Sequence, residues 1–142
     1  MYEHILVGVD ASVDGMVAAE HAVDLASKYG ATLHAVYVIE TRTAYDNAIV
    51  DPEVVHQHLR EEGEQALSTV QALADDAGVS VRASIEEGIP PDVLLEYVTE
   101  HDVDFVVVGA MGKSAFKTVL LGSTTEALLR SAGVPVLVVG GE

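Results

Sequence analysis

Asp104-Phe-Val-Val-Val-Gly109, with Ala110-Met-Gly112 directly behind it, is a near-continuous apolar run closed by bare backbone. Such a run, bounded by an acid and a glycine, reads as a strand buried on both faces of a parallel sheet. Upstream lies Val93, Leu94, Tyr97 and Val98 at helical spacing, entered through the breaker Gly88-Ile-Pro-Pro91. Downstream, a glycine-punctuated loop leads to Ser123, a helix to about Arg130, and Gly133-Val-Pro-Val-Leu-Val-Val139 as a last strand with its proline at the start.

The same rhythm fills the rest of the chain. His4 to Val9 is a β-branched run ending in Asp10-Ala-Ser12, and Val17, Ala18, His21, Ala22, Leu25 and Ala26 follow at helical spacing. Ser12 is placed to cap that helix and Gly30 to end it, before Thr32 to Ile39 resumes strand character. Residues 41 to 51 have no periodicity and read as a mobile loop. Pro52 opens a long helix to Ala77, with Gly63 as an interior weak point and Gly78 as its stop. Val79 to Ile85 reads as a short, edge-like strand. Five strands alternating with four helices predict an α/β fold: one domain over residues 1–142, a doubly wound, Rossmann-like, five-stranded parallel sheet with helices on both faces.

Composition narrows the partners. The chain of 142 residues carries 23 acidic and seven basic residues, for a formal net charge of -16, so its surface disfavours nucleic acid and anionic membrane. Its apolar runs fall far short of the roughly 20 residues of a membrane span. The start, Met1-Tyr2-Glu3-His4, shows no export signal, and a cytoplasmic location is expected. The acidic, lysine-poor surface points to a halophile's salt-rich cytoplasm. There is no cysteine, which removes disulfides, thiolate metal sites and cysteine nucleophiles.

In an open parallel sheet, ligands sit beyond the carboxyl ends of the strands. Strand one ends at Val9-Asp10 and strand four at Gly109-Ala-Met-Gly112, and these ends should be neighbours. From Gly109 the spacing runs glycine, two residues, glycine, nine residues, glycine and serine, through Gly112 and Gly122 to Ser123. Glycines let backbone N–H groups approach phosphate oxygens, and a helix starting near Ser123 turns its positive end toward an anion. Lys113 and Lys117, two of three lysines, fall in this loop.

That spacing resembles the G-x2-G-x9-G-[ST] signature of ATP-binding universal stress proteins, and the likeness extends from Val-Gly-Val-Asp10 to Val-Pro-Val-Leu-Val-Val139. The resemblance implies strand order 3-2-1-4-5 and a stress-associated, regulatory ATP-binding protein. Asp10 would contact adenine or ribose, and Val38 would meet adenine through its backbone. Gly109, Gly112, Gly122 and Ser123 would hold the triphosphate, with Mg2+ carried on the phosphates; beside these carried-over positions, Lys113 and Thr124 are counted in the candidate binding set. It also implies a homodimer through the last strand, and allows slow hydrolysis or self-phosphorylation. Ala110 and Met111 depart from the family's usual small hydroxyl and histidine or arginine.

Other readings stand beside this one. Ser123-Thr-Thr-Glu126 is also a capping box, and Asp10 is also a turn former. Gly112-Lys113-Ser114 lacks the first glycine of a Walker A loop, since position 107 is Val, and no G-x-G-x-x-G follows strand one. His56 and His58 stand two apart and face different sides of a helix, with the other histidines scattered, so core or solvated histidines are expected rather than a metal site. No catalytic triad can be assembled. The competing function is a nucleotide-independent, dimeric interaction module of the same fold.

Overall fold

The computed structural model describes residues 1–10, 12–40, 51–110 and 121–140. The expected mobile loop at 41 to 51 lies outside them, apart from Asp51. The elements are β1 (His4–Val9), α1 (Val13–Tyr29), β2 (Thr32–Glu40), α2 (Pro52–Ala77), β3 (Val81–Gly88), α3 (Pro90–Glu100), β4 (Phe105–Gly109), α4 (Ser123–Ser131) and β5 (Val136–Val139). Every pairing is parallel, and the strand order is β3-β2-β1-β4-β5. The expected alternation and order are both present.

The two-residue period of a strand sends neighbouring side chains to opposite faces, and both faces are apolar. Ile5, Val7, Leu33, Ala35 and Val107 pack beneath α1 and α2, with Ala18, Ala22, Val70 and Ala74. Leu6, Val36, Val106 and Val108 pack on the other side with Leu94, Val98 and Leu128 of α3 and α4. Double coverage explains why β1 and β4 read as unbroken apolar runs.

Local signals set the helix ends. The Ser12 side chain caps α1 by accepting from the Gly15 N–H, and Gly30 closes the helix in the left-handed conformation, φ 63°. Asp51 caps α2 and Gly78, φ 71°, ends it. Two sequence expectations need correction. β3 runs from Val81 to Gly88 rather than from Val79 to Ile85, because its register with β2 continues through Glu40↔Gly88. Gly63 is no mere weak point: a Cβ there would stand 2.6 Å from Cδ1 of Tyr37, so glycine lets α2 lie against that ring. The Tyr37 hydroxyl donates to Glu62 at 2.8 Å, which fixes the ring in place.

Candidate functional site

β1 and β4 lie side by side, in register from Ile5↔Phe105 to Val7↔Val107, so Asp10 and Gly109 leave the sheet at the same edge. Asp10 forms a tight turn: its Oδ1 accepts from the Ser12 backbone N–H at 2.9 Å and from the Ser12 hydroxyl. Ser12 Oγ in turn accepts from the Gly15 N–H at 3.0 Å. The turn-forming role of Asp10 is therefore real, and it engages one of the two carboxylate oxygens. Gly15 is part of the same construction, since a Cβ there would collide with that oxygen.

Gly109 sits where α1 crosses the end of β4. A Cβ on it would come within 2.9 Å of the Asp14 main-chain carbon, which cannot step aside. Beyond Gly109, the chain returns to its starting point. The Ala110 N–H donates to the Val139 carbonyl at 2.8 Å, and the Gly122 N–H donates to the Ala110 carbonyl at 2.8 Å. The Thr125 hydroxyl donates to the Gly109 carbonyl at 2.7 Å. Gly122, Ser123 and Thr124 are thus brought beside the end of β4.

The capping box does not form. Gly122, not Ser123, is the N-cap of α4, and among the described residues no side-chain cap is present. Ser123 is the first helical residue, and Glu126 pairs instead with Arg130 one turn on, at 2.6 Å. Among the described residues, the first turn therefore keeps backbone N–H donors without a side-chain cap, the arrangement that suits an anion. Val38 lies half-buried on β2, the strand on the other side of β1, paired with Glu86 of β3. Gly112 and Lys113 fall outside the described residues.

The histidines divide as expected for core and surface positions, with one arrangement that spacing could not reveal. His34 is fully buried, with Nδ1 2.7 Å from the Tyr97 hydroxyl and Nε2 3.1 Å from Nδ1 of His4. His101 stacks on Tyr97 at 3.8 Å between ring centroids. Burial, reinforced by His4, Arg82 and His101, lowers the His34 pKa from 6.5 to about 4. Burial likewise raises the Tyr97 phenol. Among the described residues, no group of three or more histidines and carboxylates could hold a metal.

A cleft of about 370 Å³ lies between β3 and α3, lined by Arg82, Tyr97, His101 and four glutamates, Glu86, Glu87, Glu96 and Glu100. It shares no residue with the candidate set, and its acidic wall opposes a phosphate. No helix among the described residues is long and apolar enough to cross a membrane.

A doubly wound parallel sheet with the start of α4 at its carboxyl edge defines the class: an open α/β domain with a strand-order reversal between β1 and β4. The chain belongs to the universal stress protein family, whose model matches residues 1–140. It is 32% identical over 140 residues to the universal stress protein MJ0531 of Methanocaldococcus jannaschii, covering 98% of this chain and 82% of that one. It superposes on the universal stress protein UspA from Lactobacillus plantarum with a TM-score of 0.81 at 31% identity, over 97% of each chain. A universal stress protein solved in complex with cAMP shares the fold, with a TM-score of 0.77 at 24% identity over 99% of each chain.

Proposed function

We propose that this chain is a regulatory, stress-associated protein that binds ATP at the carboxyl ends of β1 and β4. In this reading Asp10 meets adenine or ribose, the Val38 backbone meets adenine, and Gly109, Gly112, Lys113, Gly122, Ser123 and Thr124 hold the phosphates. The observation that carries it is the first turn of α4, uncapped among the described residues and hydrogen-bonded back to the end of β4 beside Asp10. The spacing of its glycines and the cAMP bound by a structural neighbour point the same way. Mg2+ would arrive on the phosphates.

The protein binds rather than turns over in this account, and no catalytic residue is assigned. Bound nucleotide shifts a population of conformers or partners. The wider reading is a homodimer formed through β5, an apolar edge strand, working in a salt-rich cytoplasm that screens the net charge.

The test is to denature fresh protein, identify any released nucleotide, and titrate stripped protein with ATP, AMP and GTP in concentrated KCl. Copurified ATP or tight ATP binding is expected, lost in Gly122→Val. Gly122 has φ -66°, open to any residue, so backbone strain at that position would not explain the loss. Absence of binding at millimolar nucleotide would defeat the proposal and favour the nucleotide-independent interaction module.

A further inference from the structure

We infer that Thr125 is a positioning residue for the nucleotide's phosphates, setting the distance between the two backbone segments that receive them. The inference rests on the ATP-binding reading above. Apart from the tyrosines, His34 and Thr125 are the buried polar side chains among the described residues. Thr125 is 4% exposed and sits in the first turn of α4, where a threonine hydroxyl has local backbone partners available. It bypasses them. Its Oγ1 crosses to β4 and donates to the Gly109 carbonyl, sixteen residues back, at 2.7 Å.

That bond completes a clamp. The Gly122 N–H donates to Ala110, and the Ala110 N–H donates to Val139 of β5, both at 2.8 Å. Three bonds on two consecutive residues thus tie the strand end, the helix start and the edge strand together. One side of the clamp presents Gly109, and the other presents Gly122, Ser123 and Thr124. These are the groups assigned to the phosphates, and Thr125 itself need touch no ligand.

Two segments held in place before binding spare the ligand the cost of ordering them. Removing the hydroxyl frees α4 to shift relative to β4 and leaves the Gly109 carbonyl without that donor. A misplaced helix terminus weakens contacts to the phosphates and spares contacts to the nucleoside, which are assigned to Asp10 and Val38 on β1 and β2. The signature is therefore a loss in ATP affinity without an equal loss in adenosine affinity.

The experiment uses two pairs that differ only in the hydroxyl group: wild type against Thr125→Val, and Thr125→Ser against Thr125→Ala. ATP is titrated calorimetrically, and adenosine is measured by displacement of a fluorescent ATP analogue, with circular dichroism confirming the fold. Thr125→Val should bind ATP about tenfold more weakly than wild type, with adenosine affinity nearly unchanged, and Thr125→Ser should retain binding that Thr125→Ala loses. If Thr125→Val fails to fold, the serine and alanine pair decides the matter. Equal ATP affinity with and without the hydroxyl, or equal losses for ATP and adenosine, overturns the inference. A wild type that binds no nucleotide removes the site itself, whereas wild-type binding with undiminished binding by the variants removes only the role of Thr125.

Discussion

Acid should unfold this protein partly through one buried side chain, His34. It lies between His4 of β1, Arg82 of β3, Tyr97 of α3 and His101 at the C-cap of α3, and its native pKa falls from 6.5 to about 4. Because the native value is the lower one, the unfolded chain binds the extra proton between those two values, and stability falls as pH drops through that window. Between about pH 7 and about pH 5 the linkage amounts to a loss of about 2 kcal/mol. For a chain of 142 residues, that is a drop of about 6 °C in Tm. The assay is thermal unfolding by circular dichroism at constant, concentrated KCl, comparing wild type with His34→Gln. Every other titrating group is common to both proteins, so the difference between their pH profiles isolates His34. The wild type should lose the extra 2 kcal/mol as the pH is lowered, converging on the variant. Parallel profiles from about pH 7 to about pH 5 would refute the reasoning.

Gly63→Ala sets helix propensity, worth about 1 kcal/mol in favour, against overpacking on the Tyr37 ring, worth about 1–3 kcal/mol against. Urea unfolding should find a net destabilisation that reverses in a Tyr37→Leu background, and a stabilised Gly63→Ala single variant would contradict the close approach. Light scattering and circular dichroism through a KCl series test the assembly and salt readings together. Twice the chain mass is expected at high salt with loss of fold at low salt. A monomeric mass at high salt would remove the β5 dimer, and stability indifferent to KCl would remove the halophilic reading.

The alternation of strands and helices was legible because β1, β2 and β4 are covered on both faces and so read as apolar runs, while Gly30 and Gly78 punctuate the helices. β3 was misjudged by its ends. On an edge strand, exposed residues such as Arg82, Ala83 and Glu87 blur the pattern that burial would sharpen. For the site, glycine spacing led to Gly109, Gly122 and Ser123, and the structure joins them at one edge. The bond from Thr125 to Gly109 spans sixteen residues and leaves no local signal. Likewise, the contacts of Gly63 with Tyr37 and of Gly15 with Asp10 depend on tertiary approach, which composition and period do not encode. The capping box failed for a different reason: the motif was present, but the helix began at its first member, Ser123, one residue earlier than the box requires.

The inner stripe of α1 is made of alanines, Ala18, Ala19, Ala22 and Ala26, all at most 1% exposed, while Glu20, His21, Asp24 and Lys28 face outward. A helix seated on methyl groups lies close to its sheet, and any larger side chain on that stripe would push it off. The outward face carries no such restriction. Surface charge can therefore drift, residue by residue, toward whatever ionic medium the cell maintains. The seat that aligns Asp14 and Gly15 beneath the ends of β1 and β4 stays the same throughout.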